Sequence, residues 1–154
     1  MQSTVIGDVD RTAPLPLPSW IEEQPFPSIL ARPPQEYNLA EVEQWLHEEQ
    51  KDGGTVAGPE LFGYLLRNNM FGSCLSAWDL EAIRERGVDV FRRFFTGKTL
   101  LGWGSIAFDV RSRVVVARLR ECNGVLEFDW LPVDSPNVRL GAEYPVLRFL
   151  PMLG

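Results

Sequence analysis

Residues 114–131 read VVVARLRECNGVLEFDWL, and this stretch decides the fold. Asn123-Gly124 lies between two runs of alternating apolar residues, which is the strongest short-range signal for a two-residue β-hairpin. The reason is that a type I′ turn needs positive φ at both central residues. The sequence therefore predicts strands over residues 114–122 and 125–131, joined by this turn.

The register of the hairpin separates apolar side chains from charged ones. Opposite charges across a ladder stabilise it by a few tenths to ~1 kcal/mol each, and a slip by one residue would send every side chain to the other face. We therefore expect the charged residues to form structural ion pairs outside the core. The predicted pairs are Cys122 with Val125, Leu119 with Phe128, Ala117 with Trp130, Arg120 with Glu127 and Arg118 with Asp129.

The remaining pattern predicts a single α+β domain over residues 38–154. Helices followed by strands favour about three helices packed on one face of a three- to four-stranded antiparallel meander. Asn38 is the expected N-cap of the first helix, and Pro145 confines the last strand to an edge or a strand start. Gly87 either breaks the third helix in two or allows a close helix crossing, and of these one bent helix is the expectation. A loop over Val110–Arg113 would set Phe108 opposite Val115 and Ile106 opposite Ala117. The predicted helices are 38–51, 59–69 and 76–96, and the predicted strands are 100–109, 114–122, 125–131 and 144–150.

Residues 1–37 form a proline-rich, extended N-terminal arm, in which seven of the 12 prolines lie. Each proline fixes its own φ and restricts the residue before it, so residues 14–18 (PLPLP) must be extended. Two interpretations follow. The arm packs along the domain with Trp20 and Phe26 as anchors, or it is exposed and docks on a partner or on a second copy of the chain.

Length and composition place the chain among globular proteins. A chain of 154 residues corresponds to one domain, and no apolar run approaches the ~18 residues of a membrane span. The first ten residues lack the features of a secretory signal. The chain has two cysteines and one histidine, and no CxxC spacing, so we expect no structural zinc, no metal site and no cofactor. A cytoplasmic protein is the expectation.

The net charge of −6 is distributed unevenly. Residues 1–60 hold eleven acidic and three basic residues (−8), whereas residues 61–154 hold ten acidic and twelve basic residues (+2). An acidic chain is a poor nucleic-acid binder, because phosphate neutralisation dominates that affinity. The acidic half favours a protein partner with a basic surface instead.

Motifs for catalysis are incomplete in this sequence, which favours a non-enzymatic function. Residues 97–99 (GKT) resemble the end of a phosphate-binding loop, but Arg92 occupies the position where that motif needs its first glycine. The triplet also follows a predicted helix, whereas the motif opens one. Cys74 precedes a predicted helix N-terminus, which can lower a thiol pKa, and His47 could pair with it in space. Gly102 and Gly104, on either side of Trp103, predict a bulge or a close backbone approach.

Two classes of function remain. The first is a small acidic protein-binding domain of the immunity, inhibitor, chaperone or adaptor type, with homodimer formation as a further expectation because an arm can be exchanged between copies. The second is a small-molecule-binding or enzymatic domain with a pocket between helices and sheet. The partner-binding surface predicted for the first class is the acidic outer face of the first predicted helix together with two aromatic residues of the arm. Its residues are Glu41, Glu43, Glu48, Glu49, Trp20 and Phe26. The pocket residues predicted for the second class are Trp103, Trp130, Tyr64 and Asp129.

Overall fold

The computed structural model describes residues 4–7, 9–11, 13–21, 26–27 and 34–150. The protein has the predicted α+β fold with antiparallel strand pairing. The helices are α1 Gly58–Arg67, α2 Ala77–Arg86 and α3 Val88–Phe95. The strands are β1 Val5–Ile6, β2 Phe26–Pro27, β3 Tyr37–Asn38, β4 Glu43–Trp45, β5 Val56–Ala57, β6 Thr99–Leu101, β7 Ser105–Phe108, β8 Val114–Cys122, β9 Val125–Pro132, β10 Arg139–Leu140 and β11 Val146–Arg148.

The hairpin of β8 and β9 has the predicted register throughout. All five expected cross-strand pairs are present, and Asn123 (φ 51°) and Gly124 (φ 81°) both have the positive φ that a type I′ turn requires. Arg118 and Asp129 form an ion pair at 2.6 Å, whereas the pair of Arg120 and Glu127 is longer, at 3.5 Å. The local pattern was thus sufficient to set this register.

Strand β8 is the centre of the main sheet, with β9 on one side and β6 and β7 on the other. Alternate residues of a strand face opposite sides of a sheet. Val115, Ala117 and Leu119 lie in a core with α2, α3 and the arm, whereas Val116 lies in a second core with α1. The expectation that the helices cover one face is therefore wrong, because both faces are covered.

Residues 38–51 do not form the predicted helix. Asn38 does act as an N-cap, since its Oδ1 accepts a hydrogen bond from Ala40 N–H at 2.9 Å, but it caps only a 3₁₀ turn over residues 39–41. Strand β4 follows and pairs with β11. A second 3₁₀ turn over residues 48–50 ends in the buried Gln50, whose amide donates to the carbonyls of Gly141 and Tyr144. Pairing with distant residues outweighs the helical periodicity here.

Gly87 separates α2 from α3, so the single bent helix that we expected over residues 76–96 is wrong. Its φ of 100° and ψ of 171° are incompatible with a helix and are readily adopted by glycine. The predicted start of α2 is confirmed, because Ser76 and Asp79 form a reciprocal capping box.

The predicted strand over residues 100–109 is divided into β6 and β7 by residues 102–104. A Cβ atom on Gly104 would lie 2.2 Å from the carbonyl oxygen of Cys74, and one on Gly102 would lie 3.0 Å from the backbone nitrogen of Ala77. The two glycines thus permit a close approach of the backbone to the start of α2, as the sequence indicated. Residues 102–106 separate Leu101 from Ala107, whereas only residues 116–117 of β8 separate their partners Arg118 and Val115. This segment therefore contains three more residues than the part of β8 that it faces.

The loop between β7 and β8 is one residue longer than predicted. Ala107 pairs with Val115 and Phe108 with Val114, so the predicted pairs of Phe108 with Val115 and of Ile106 with Ala117 are wrong. Asp109 organises the loop. Its side chain accepts hydrogen bonds from the backbone N–H groups of Arg111 (2.9 Å) and Arg113 (2.8 Å) and from Arg113 Nε (2.7 Å).

Asp109→Asn should destabilise the protein at neutral pH and much less in acid. Burial of Asp109 opposes its ionisation, but the hydrogen bonds from Arg113 and Arg111 outweigh burial and hold the pKa of this carboxyl group below its usual value. The ionised group therefore contributes stability above an unfolded-state pKa of about 3.9. This contribution is lost as the pH falls through the lower folded-state pKa. Urea unfolding of both proteins at neutral pH and near pH ~3 measures the effect, and an equal difference at both pH values would contradict it.

The described part of the N-terminal arm lies against the domain. Ile6, Leu15 and Ile21 are buried, and the half-buried Trp20 packs on the same core. Phe26, the second predicted anchor, lies in β2 and pairs with Ile106 of β7. The predicted arm residues 1–3, 8, 12, 22–25 and 28–33 lie outside the described residues.

A buried polar cluster joins this arm to α2. Asp79 is fully buried, and its carboxylate accepts hydrogen bonds from Arg11 (2.8 Å), Tyr37 Oη (2.6 Å), Ser76 Oγ (2.6 Å) and Ser76 N–H (2.9 Å). Burial, followed by the charge of Asp79, raises the pKa of Tyr37 far above its usual value, so the phenol remains a donor. We call these four residues the Asp79 cluster.

The C-terminal strand is shorter than the predicted 144–150 and lies outside the main sheet. Strand β11 pairs with β4, and Pro145 directly precedes it, where a missing N–H costs no ladder bond. None of the helices in the described ranges combines the length and the apolar character that a membrane crossing requires.

Candidate functional site

The four acidic residues predicted to form one binding face are spread over three elements. Glu41 lies in the first 3₁₀ turn, Glu43 in β4, and Glu48 and Glu49 in the second 3₁₀ turn. Glu43 faces Arg148 at 3.5 Å, and a hydrogen bond from Lys51 lowers the pKa of Glu48. Because residues 38–51 are not a helix, the shared helical face that we expected for these residues does not exist.

Cys74 and His47 both have local structural partners. Cys74 is buried and donates its S–H to the carbonyl of Met70 at 3.2 Å, and burial raises the pKa of its thiol to about 12. The following helix could have lowered this pKa, but desolvation of the thiolate dominates. His47 Nδ1 accepts a hydrogen bond from Glu49 N–H at 3.0 Å, which caps the second 3₁₀ turn.

The four predicted pocket residues do not share one site. Trp103 and Tyr64 belong to the second core. Trp103 is 1% exposed, and Tyr64 stacks on Trp45 with ring centroids 5.6 Å apart. Asp129 and Trp130 lie elsewhere, in β9, where they line a surface groove. Across residues 4–7, 9–11, 13–21, 26–27 and 34–150, no group of three or more His, Cys, Asp or Glu side chains could hold a metal ion.

The groove, which we call the arm groove, lies between the proline-rich arm, α2 and β9. It is open to solvent and has a volume of about 500 Å³. Its floor is aromatic, with Trp20, Phe128 and Trp130 all packed on the first core. The arm forms one wall, β9 the opposite wall, and α2 supplies a charged pair at the rim. The lining residues are Pro16, Leu17, Pro18, Trp20, Glu81, Arg84, Phe128, Asp129 and Trp130.

The arm wall is anchored on both sides. Before the groove, Trp78 Nε1 donates to the carbonyl of Ala13 at 2.6 Å. After it, Val110 N–H donates to the carbonyl of Trp20 at 2.9 Å, and Ile21 forms a β-bridge with Asp109. These contacts hold the extended proline segment at a fixed distance from β9, so the groove exists before anything binds in it.

The charged residues that line the arm groove already form ion pairs within the protein. Arg118 donates two hydrogen bonds to the Asp129 carboxylate, at 2.7 and 2.6 Å, and this contact raises the pKa of Arg118. At the rim, Glu81 and Arg84 form an ion pair. The Asp129 side chain nevertheless retains 39% exposure. Asp129 can therefore line the groove and keep its predicted arginine partner, because the groove follows the edge of β9.

Strand β9 is an edge strand within the described residues. It pairs with β8 along one edge, and its other edge faces the arm groove. The lining includes three consecutive residues of β9, although side chains alternate between faces along a strand. A groove that reaches all three must run along the strand edge.

Most residues of the arm groove were not predicted from the sequence; of its lining, only Trp20, Asp129 and Trp130 were candidates. The hairpin pattern places Phe128 in the core opposite Leu119, and the helical pattern of α2 does not distinguish Glu81 and Arg84 from an ordinary surface ion pair. The usable signals were the extended PLPLP segment followed by Trp20, and two acids on the second strand of a hairpin. Their proximity depends on how the arm crosses α2, which no local pattern specifies.

No protein-family model, no curated protein and no solved structure matches this chain.

Proposed function

We propose that this protein is a non-enzymatic protein-binding domain, of the immunity, inhibitor, chaperone or adaptor type, and that the arm groove is its binding site. The observation that carries this proposal is the groove itself, in which three aromatic side chains form the floor between an anchored proline-rich wall and a sheet edge. Aromatic residues beside polar groups with exposed edges are typical of surfaces that bind proteins.

The partner that this surface favours is a basic protein. The chain carries a net charge of −6, and Asp129 and Glu127 keep exposed carboxylates along β9. Complementary charge would accelerate association more than it would strengthen the complex. The site differs from the surface formed by Glu41, Glu43, Glu48 and Glu49 that the sequence predicted, but it retains the arm and Trp20.

A capture experiment with matched variants tests this function. The immobilised full chain should retain a specific protein from an extract of the native host, and Trp20→Ala/Phe128→Ala should reduce the retained amount about tenfold, as expected when two hot-spot aromatics are removed. Leu66→Ala is the control, because Leu66 is an apolar side chain with 57% exposure that lies on α1, away from the groove. Equal retention by both variants would refute the assignment of the site.

A small-molecule site is the second candidate, and the size of the groove favours it. A volume of about 500 Å³ is within the range of ligand pockets, and Trp130 and Asp129 of the predicted pocket line it. A protein-free filtrate of the same extract distinguishes the two functions. If the filtrate raises the melting temperature of the wild type but not that of Trp20→Ala/Phe128→Ala, the ligand is a small molecule.

A further inference from the structure

The backbone of β9 presents a regular set of hydrogen-bonding groups to the arm groove. Val133 N–H donates to the carbonyl of Val114 at 3.0 Å, so these opposed residues are a hydrogen-bonded pair of the β8–β9 ladder. Bonded and non-bonded pairs alternate in an antiparallel ladder. Counting back along β9 in the observed register, Asp129 and Glu127 belong to bonded pairs, whereas Trp130 and Phe128 belong to non-bonded pairs.

Residues of a non-bonded pair direct their N–H and C=O groups away from the partner strand. An independent contact supports the assignment. Ala117 is opposite Trp130, and its carbonyl accepts from Gly102 N–H at 2.8 Å on the far side of β8. The N–H and C=O groups of Phe128 and Trp130 therefore point toward the groove, and they have no hydrogen-bond partner among the described residues.

We propose that the arm groove binds an extended peptide segment of a partner protein, which adds to β9 as a further strand. The proposal rests on the protein-binding function inferred above and specifies its mode. The backbone groups of Phe128 and Trp130 supply the ladder hydrogen bonds. Side chains of the peptide that lie on the same face as these two residues enter the aromatic groove, so they are apolar.

On the opposite face of the added strand, β9 favours positively charged side chains of the peptide. Alternation places Glu127 and Asp129 on that face, with 46% and 39% of their side chains exposed. In an antiparallel ladder between β9 and the peptide these two residues occupy non-bonded positions, where opposed Cα atoms are only about 4.5 Å apart. Arg118 and Arg120 already pair with these carboxylates from β8, but both carboxylates keep an exposed side that a cation on the added strand can approach. The peptide therefore alternates apolar residues with Lys or Arg.

Charge also distinguishes this partner from a second copy of the chain. Two-fold pairing of β9 with itself, with Phe128 opposite Phe128, would place Glu127 of one copy against Asp129 of the other. Like charges directly opposed across a ladder are destabilising. The edge thus resists self-association and favours a basic strand.

Selection from a library of random short peptides displayed on phage, with the full chain as bait, tests the proposal. Peptides should be enriched on the wild type and on Leu66→Ala but not on Trp20→Ala/Phe128→Ala, and they should alternate apolar and basic residues. Backbone N-methylation should weaken a selected peptide about tenfold or more at every second position and leave the intervening positions nearly unchanged.

A second variant tests whether the two acidic residues of β9 select basic residues in the peptide. Glu127→Gln/Asp129→Asn preserves side-chain shape and should weaken the basic peptide by about tenfold at low salt, with less difference at high salt. Circular dichroism checks that the variant remains folded.

The outcomes separate the two proposals. Groove-dependent peptides without alternation, or with affinities that do not follow the period-two methylation pattern, overturn strand addition and leave the protein-binding function standing. If no peptide is enriched by the wild type over the groove variant, strand addition is overturned, and capture from the host extract then decides the protein-binding function separately. Strand addition is also overturned, in favour of self-association, if sedimentation shows a dimer with two properties. Glu127→Gln/Asp129→Asn strengthens this dimer, and the basic peptide does not dissociate it.

Discussion

Asp79→Ala should lower the free energy of unfolding by about 3–5 kcal/mol, the loss typical of a buried ion pair that is broken from one side. Asp79 is fully buried, and the Arg11 side chain is only 11% exposed. The substitution leaves the Arg11 charge, the Tyr37 hydroxyl group and the Ser76 N–H without their acceptor, and it removes the capping box of α2. Urea unfolding measures the loss.

The control for this prediction is an ion pair at the surface. Glu43 and Arg148 face each other at 3.5 Å with side chains 38% and 28% exposed. Glu43→Gln should therefore cost about 0–1 kcal/mol. If Asp79→Ala costs no more than Glu43→Gln, the Asp79 cluster does not hold the arm on α2.

The Asp79 cluster also links stability to the candidate site. The arm that Arg11 and Tyr37 fasten to α2 continues into the proline segment that forms one wall of the arm groove. A weakened cluster is thus expected to loosen this wall as well. Asp79→Ala should bind groove-dependent peptides less tightly than the wild type, even at temperatures at which both proteins are folded.

Trp103→Ala should cost about 3–5 kcal/mol, the usual loss when a large aromatic side chain is removed from a core. Trp103 is 1% exposed and packs in the second core near Phe71, with ring centroids 6.5 Å apart. A pocket residue with an open face would lose much less, so urea unfolding separates the core interpretation from the pocket interpretation. A loss within the range of a surface substitution, about 0.5 kcal/mol, would restore the pocket interpretation.

Trp103→Phe provides the matched comparison. The indole Nε1 of Trp103 is buried and has no hydrogen-bond partner among the described residues. An unpaired buried N–H group is itself destabilising. Phenylalanine keeps an aromatic ring and removes this group, so the phenylalanine variant should be more stable than the alanine variant.

Where the structure follows the sequence, neighbouring residues supply the whole reason. The Asn123-Gly124 turn, the two ion pairs and the apolar pairs of β8 and β9 reinforce one another over residues 115–132, as natural sequences tend to do. The N-cap of α2 at Ser76 is local in the same sense. Each of these features needs contacts only across a turn.

Where the structure departs from the sequence, distant residues supply the reason. Leu39, Val42, Trp45 and Leu46 have helical spacing, but β4 pairs with β11 about a hundred residues later and makes the segment extended. The five-residue loop ordered by Asp109 shifts β7 by one residue, and a shift by one exchanges the two faces of a strand. That exchange moves Phe108 outward and Ala107 into the core.

The sequence by itself determined the α+β class, the hairpin and its register, and the structural role of Arg118, Arg120, Glu127 and Asp129. Only the tertiary structure decided that the arm lies across α2 beside β9, which creates the arm groove and directs the outer backbone groups of Phe128 and Trp130 into it. The physical reason is that turn geometry and side-chain alternation act over a few residues. A groove between the arm, α2 and β9 instead depends on contacts such as Arg11 with Asp79, across 68 positions.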